Sequence, residues 1–168
     1  METLWAPWRS SYLSEATARE EKKLEVACVF CEAVANSDDA ARFVIHRGKT
    51  AFVILNLYPY NNGHMLIIPY QHVSKLDLLP METRVEMMEL INKAQLVLQS
   101  VYKPHGINIG NNTGQAAGAG IAEHLHFHVL PRWTADANFM TTVANSRVIP
   151  ESLEESWKKI REAWEKLP

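Results

Sequence analysis

Apolar and polar positions change rhythm several times along this chain, and each change predicts an element. Residues 42–46 and 50–55 alternate or run apolar on either side of Arg47-Gly48-Lys49, which reads as a β-hairpin. Pro59, Asn61, Asn62 and Gly63 punctuate the next segment, and 64–69 resumes as a strand, so an antiparallel meander is expected across 42–69. From 80 to 102 the apolar positions Val85, Met88, Ile91, Ala94, Leu98 and Val101 recur at spacings of three and four, with Glu82 near the start and Lys103 near the end. That is the signature of a long amphipathic helix, stopped by Lys103-Pro104-His105-Gly106. Residues 107–110 alternate as another strand, and 113–120 form a loop of Gly and Ala. At 124–130, three histidines alternate with apolar residues, the period-2 pattern of a half-buried strand with imidazoles on one face. The tail places Leu153, Trp157, Ile160, Trp164 and Leu167 on one face of a closing helix, with Pro150 suited to its first position.

These elements predict an α+β fold: an antiparallel sheet of about five strands, with the long helix packed on its apolar face and a C-terminal helix closing the chain. At 168 residues and 47% hydrophobic content the chain can bury a core as one domain. An aromatic arm at 1–13 (Leu4, Trp5, Trp8, Tyr12) is expected to pack on the body or on a partner subunit, and 15–25 reads as a solvated helix or linker. The net charge of −2 and the lack of a basic block argue against polymeric nucleic acid, although a single nucleotide needs no such patch. No signal-like opening and no run of eighteen apolar residues is present, so no membrane partner is expected. Both cysteines sit in Cys28-Val29-Phe30-Cys31, unlike a secreted disulfide scaffold, and the location expected is cytoplasmic.

The chemistry concentrates in the histidines. Alternate residues on one strand face stand about 6.8 Å apart, so three imidazoles crowd a face that a structural sheet fills with Thr, Lys or Glu. A neutral imidazole attacks phosphorus well when one nitrogen is free and the other donates its proton to an acceptor that fixes the tautomer. His126, with an imidazole on each side along the strand, is the natural nucleophile, and His128 can orient it or assist the leaving group. The 113–120 loop lets backbone N–H groups approach a phosphate. His46 and His105 read as surface or turn residues. A metal-dependent hydrolase is disfavoured, because the chain has no His-x-x-Glu-His or similar partner motif.

At this point the sequence resembles the histidine triad (HIT) superfamily, whose signature of His-φ-His-φ-His-φ-φ is met by HLHFHVL at every position. The arm LWAPWRSSYL, the loop GQAAGAGIAEHLHFH and the ending PRWTADANF resemble the bacterial diadenosine tetraphosphate phosphorylase, ATP adenylyltransferase-like branch. The resemblance implies a covalent nucleotidyl intermediate on His126, a ribose contact at Asn56, and support of the nucleophile by His64. It implies a nucleotidyl transferase or hydrolase acting on dinucleoside polyphosphates, with phosphate or water as acceptor. A nucleotide-binding sensor with little turnover is the alternative. Nucleotide contacts are expected at Asn56, Asn111, Gln115, Gly118, Gly120 and Trp133; Trp133 has a second reading, as a core residue. Several branches keep a polar residue three or four positions before the first histidine, near the leaving group. Here those positions are Gly120 and Ile121, so a backbone N–H or Gln115 is expected to substitute.

Cys-x-x-Cys is half of a tetrahedral zinc site, and His72 and His124 are available to complete it. Relatives in the superfamily hold a structural zinc with such a set, so Zn2+ is expected at Cys28, Cys31, His72 and His124, with no organic cofactor. The competing reading is two buried, inert thiols. The resemblance, which runs from about Cys28 to Asn138, also implies a homodimer; the chain is expected to be a single HIT domain over 1–168 with an arm at 1–25, a core at 26–140 and a closing helix at 150–168.

Overall fold

A computed structural model of the protein describes residues 28–136 and 150–167. The expected arm at 1–25, and residues 137–149 between the last strand and the closing helix, lie outside the described residues. Eight elements follow in order: α1 (Val29–Ala35), β1 (Val44–Arg47), β2 (Ala51–Leu55), β3 (Met65–Pro69), α2 (Met81–Tyr102), β4 (Gly106–Asn111), β5 (Phe127–Arg132) and α3 (Leu153–Lys166). The strands form one antiparallel sheet in the order β1-β2-β3-β5-β4, which bears out the α+β expectation. No helix among the described residues is long and apolar enough to cross a membrane.

The sheet is covered on two faces. Ile45, Ala51, Val53, Leu55, Met65, Ile67 and Val129 pack under α2 and α3. The alternate residues Val44, Phe52, Ile54, Leu66 and Ile68 pack against Phe30 and Ala33 of α1. This explains why β2 and β3 are buried at every position and read in sequence as apolar runs rather than alternations. Helix α1 has no counterpart among the elements expected, because seven residues give too little room for a helical period to declare itself.

Helix α2 occupies the predicted span, but its buried face is rotated from the predicted one. Met87, Leu90, Ile91, Ala94, Val97 and Leu98 face the sheet, whereas Val85 and Met88 are more than half exposed. Apolar residues lie on both sides of this helix, so periodicity alone allows more than one stripe. The helix ends at Lys103, whose left-handed backbone caps it before Pro104. Helix α3 starts one turn later than Pro150 suggests. Ser152 and Glu155 form a reciprocal capping box, and Leu153 is the first helical residue. Its Trp164 and Ile160 join the core, and Trp157 Nε1 donates to the Val44 carbonyl at the bulge in β1. His46, expected at the surface, instead stacks on Trp164 with ring centroids 5.4 Å apart.

Gly63 lies in the turn before β3 with φ of +76°, and a Cβ there would stand 2.6 Å from the Tyr102 ring. The position therefore needs glycine for both backbone and space. At the other end of the strands, Glu86 of α2 caps the β1–β2 turn. Its carboxylate accepts from the Lys49 and Thr50 amides at 2.6 Å each and from the Thr50 hydroxyl. Burial alone pushes this carboxyl up, but the hydrogen bonds from Thr50 and the two amides outweigh it and hold Glu86 below its ordinary value.

Glu86→Ala removes the acceptor for three donors and is expected to cost about 1 to 2 kcal/mol in urea unfolding at pH 7, with allowance for partial exposure. Because the folded-state pKa is depressed, the contribution is full above the unfolded value and fades as pH falls through the folded one. The gap between parent and variant is therefore expected to narrow in the acid range, and a pH-independent gap would contradict the capping role.

Candidate active site

β5 enters the sheet between β3 and β4, with His128 paired to Leu66 on one side and Gly110 on the other. Strand pairing begins at Phe127, so of the three alternating histidines only His128 lies within a strand. The segment before it lies outside the sheet ladder, held by the Leu125 amide on the Val73 carbonyl at 2.6 Å. The three imidazoles therefore do not share one solvent-facing strand surface. His124 and His126 are buried, at 1% and 5% exposure, and His128 is half-buried.

Each ring's protonation follows from groups that have no choice of role. The Tyr60 backbone amide can only donate, and it reaches His64 Nδ1 at 3.1 Å, with Asn56 Nδ2 at 3.3 Å from the same nitrogen. His64 therefore carries its proton on Nε2, which meets His128 Nδ1 at 2.9 Å. His128 Nδ1 must accept, so its own proton sits on Nε2. His126 is fixed in the opposite sense. Its Nδ1 lies 2.8 Å from the His124 carbonyl oxygen, which can only accept, so Nδ1 is protonated and the lone pair is on Nε2. No hydrogen bond among the described residues engages that Nε2. The His126 and His128 rings stand 5.0 Å apart, one presenting a lone pair and the other an N–H.

Burial keeps these rings neutral. It lowers His64 to about 3, with help from the His128 and His126 charges, and lowers His128 to about 4 with help from His126. Burial also lowers His126, against a smaller opposing effect of its bond to the His124 carbonyl.

The remaining expected residues are placed as follows. Asn56 sits just past β2, its Oδ1 accepting from the Tyr58 amide at 3.0 Å and its Nδ2 on His64. Asn111 donates to the His126 carbonyl at 2.8 Å and accepts from the Thr113 hydroxyl, which makes it a brace for the histidine backbone. Gln115 opens a single 3-10 turn in the exposed glycine-rich loop. Gly118 closes that turn with φ of +89°, and Gly120 lies exposed beyond it. Trp133 meets the Tyr102 ring edge-on at 6.4 Å, which gives its packing role an observed partner.

Two features escaped sequence reasoning. The Tyr60 ring lies over His64 and His128, with centroids at 4.7 and 6.1 Å. Arg132 forms a forked pair with Asp136, which also accepts from Asn61. That pair clamps the loop carrying Asn56, Tyr60 and His64 onto the end of β5, and Arg132 holds the Asp136 carboxyl well below the usual carboxylate range. No residue-type pattern announces either one.

On the far side of His126 lies a second cluster. The ligand atoms of Cys28, Cys31, His72 and His124 all lie within 4.8 Å of one another. His124 Nδ1 is 3.3 Å from Cys28 Sγ and 3.7 Å from Cys31 Sγ, and His72 Nδ1 is 3.3 Å from Cys31 Sγ. A tetrahedral zinc with ordinary bond lengths sets N···S edges of about 3.6 Å. The tautomer fits too: His124 Nε2 donates to the Pro69 carbonyl at 2.9 Å, leaving the Nδ1 lone pair toward the thiols.

A family model described as HIT domain matches residues 37–135. The chain is 41% identical over 170 residues to a Mycobacterium tuberculosis protein named AP-4-A phosphorylase, covering 100% of this chain and 87% of that protein. It is 36% identical over 94 residues to a Schizosaccharomyces pombe protein named bis(5'-nucleosyl)-tetraphosphatase (asymmetrical), covering 55% of this chain and 50% of that one. A solved structure titled as a Zn-bound histidine triad family protein from Mycobacterium smegmatis matches with a TM-score of 0.68 and 31% identity. That match covers 83% of this chain and 94% of the other.

The neutral relay generates a pH prediction. The folded-state values of His64 and His128 lie below the ordinary 6.5, so the unfolded chain binds more protons across that window. Stability is expected to be full above about pH 6.5 and to decline as pH falls toward 4, by up to about 1.4 kcal/mol per pH unit for each ring. Urea midpoints measured across this range are expected to shift less in His64→Gln; an equal slope in parent and variant would contradict the assignment.

Proposed function

This chain belongs to the HIT domain family, and from that membership we propose that it transfers a nucleotidyl group from a dinucleoside polyphosphate to inorganic phosphate through His126. The observation that carries the proposal is the opposed protonation of two adjacent rings, a lone pair on His126 Nε2 beside an N–H on His128. The phosphorylase reading is supported by likeness over the full chain to the protein named AP-4-A phosphorylase.

In this reading His126 Nε2 attacks the α-phosphorus, a P–N bond forms, and the P–O bond to the departing polyphosphate breaks. Positive charge develops on the imidazole, and the His124 carbonyl is already in place to accept from its Nδ1–H. His128 Nε2–H stabilises charge on the phosphoryl or leaving oxygen, and backbone N–H groups of the 113–120 loop do the same from the other side. Phosphate then attacks the nucleotidyl-histidine, restoring neutral His126 and releasing a nucleoside diphosphate. With water in its place the product is the monophosphate, the reaction that fits the tetraphosphatase name. Asn56 is assigned to the ribose hydroxyls, with the amide of Gln115 and the loop at Gly118 and Gly120 toward the phosphates. The proposal includes a homodimer, as the family resemblance implies, and a cytoplasmic location, as the sequence features suggest.

Cys28, Cys31, His72 and His124 are assigned as ligands of a structural zinc. With four protein donors the site is closed, and the ion would serve to tie α1 to the segment that carries His126. The titled zinc-bound relative supports this assignment.

Two experiments test these readings. Product analysis with diadenosine tetraphosphate is expected to give nucleoside diphosphate only when phosphate is supplied, and His126→Ala is expected to abolish turnover while leaving nucleotide binding. Monophosphate as the product makes it a hydrolase, and undiminished turnover in the variant removes His126 as nucleophile. For the metal, protein purified without chelator is expected to contain close to one zinc per chain, falling in His124→Ala; a folded parent without zinc rejects the assignment.

A further inference from the structure

We propose that Phe30 is a positioning residue for His126, one that transmits the order of the Cys/His cluster to the nucleophile's ring. The inference rests on the reading of His126 as the nucleophile. It starts from how little else holds that ring. A single hydrogen bond from Nδ1 to the His124 carbonyl fixes the tautomer, but it leaves the ring free to swing about the axis of the bond. A swing of that kind moves Nε2 off the line of attack, so the ring needs a wall on each side. His128 supplies one, 5.0 Å away at 69°. Phe30 supplies a second contact: its ring lies 5.1 Å from His126, tilted by 59°, and only 6% of the residue is exposed.

The placement of Phe30 is set by its neighbours in sequence. Cys28 and Cys31 flank it at the start of α1, where the Glu32 amide closes the first turn on the Cys28 carbonyl at 2.9 Å. The same Phe30 ring also stands edge-on to His124 at 5.5 Å and 86°. Two routes therefore run from the cluster to His126. One is the His124 backbone carbonyl, and the other is the aromatic ring carried between the two thiols. Phe30 also belongs to the apolar layer with Ala33, Val44, Phe52, Ile54, Leu66 and Ile68, so a purely structural role has to be distinguished.

The test uses the full chain with Phe30→Leu and Phe30→Tyr, read by steady-state kinetics on diadenosine tetraphosphate with phosphate and by nitrogen NMR of the His126 imidazole. In Phe30→Leu, kcat is expected to fall roughly tenfold to a hundredfold while KM stays within about threefold. The Nδ1–H signature of His126 is expected to broaden, with thermal unfolding still cooperative. Phe30→Tyr keeps the ring and is expected to recover both the rate and the sharp signal. A folded Phe30→Leu with unchanged kcat overturns the proposal, as does a raised KM at unchanged kcat, which makes Phe30 a nucleotide contact. If Phe30→Leu does not fold, Phe30→Tyr and Phe30→Met carry the comparison, and a sharp, unaltered His126 spectrum in Phe30→Met overturns the proposal. The NMR readout does not depend on turnover. Failure of the nucleophile reading, seen as full activity in His126→Ala, is therefore distinguishable from failure of the positioning role.

Discussion

A carbonyl oxygen cannot donate a hydrogen bond and a backbone amide cannot accept one, and the site depends on that constraint. The His124 carbonyl forces the proton of His126 onto Nδ1, and the Tyr60 amide forces the proton of His64 onto Nε2. From the second choice follows the protonation of His128, one ring further along. Two chemically identical side chains two residues apart thus acquire opposite faces from uncharged backbone groups. Neutrality is the other requirement, and burial supplies it.

The sheet makes these fixed contacts possible by being covered twice. β3 lies at its centre with β2 beside it, and the turn between them carries both the ring that orients His128 and the amide that orients that ring. α2 and α3 cover one face and α1 the other. β3 hands its end to the Cys/His cluster through the Pro69 carbonyl, which receives the His124 Nε2 proton. Cluster, relay and His126 are therefore joined through strand ends rather than through flexible side chains, an arrangement suited to holding angles closely.

What the sequence revealed, and what it hid, follows from this construction. The five strands, the long helix and the closing helix were legible because each shows either a period or an apolar run bounded by turn residues. The four cluster residues were legible as donor types, and the structure gathers them. The face of α2 was not, since Met81, Val85, Met88 and Leu96 make its outer side apolar as well. α1 was too short to show itself, and the start of β5 was set by Val73 pulling Leu125 out of the sheet register. Within the site, the groups that assign the protons are backbone amides and carbonyls, and no residue letter encodes those. Asn111 illustrates the same limit: as a letter it suggests a ligand contact, and only the fold adds that its amide braces the His126 carbonyl.

Gly63 shows how far from the reacting atoms such a site can be decided. Its missing side chain lets the turn settle against Tyr102 and Leu98, and His64 follows it directly in the chain. One hydrogen atom in place of a methyl group thus sets the height at which the whole turn rides on the long helix. The tolerances of the imidazole pair are inherited from this seating, so an evolutionary search that kept every polar residue of the site could still lose its alignment at a position with no functional group at all.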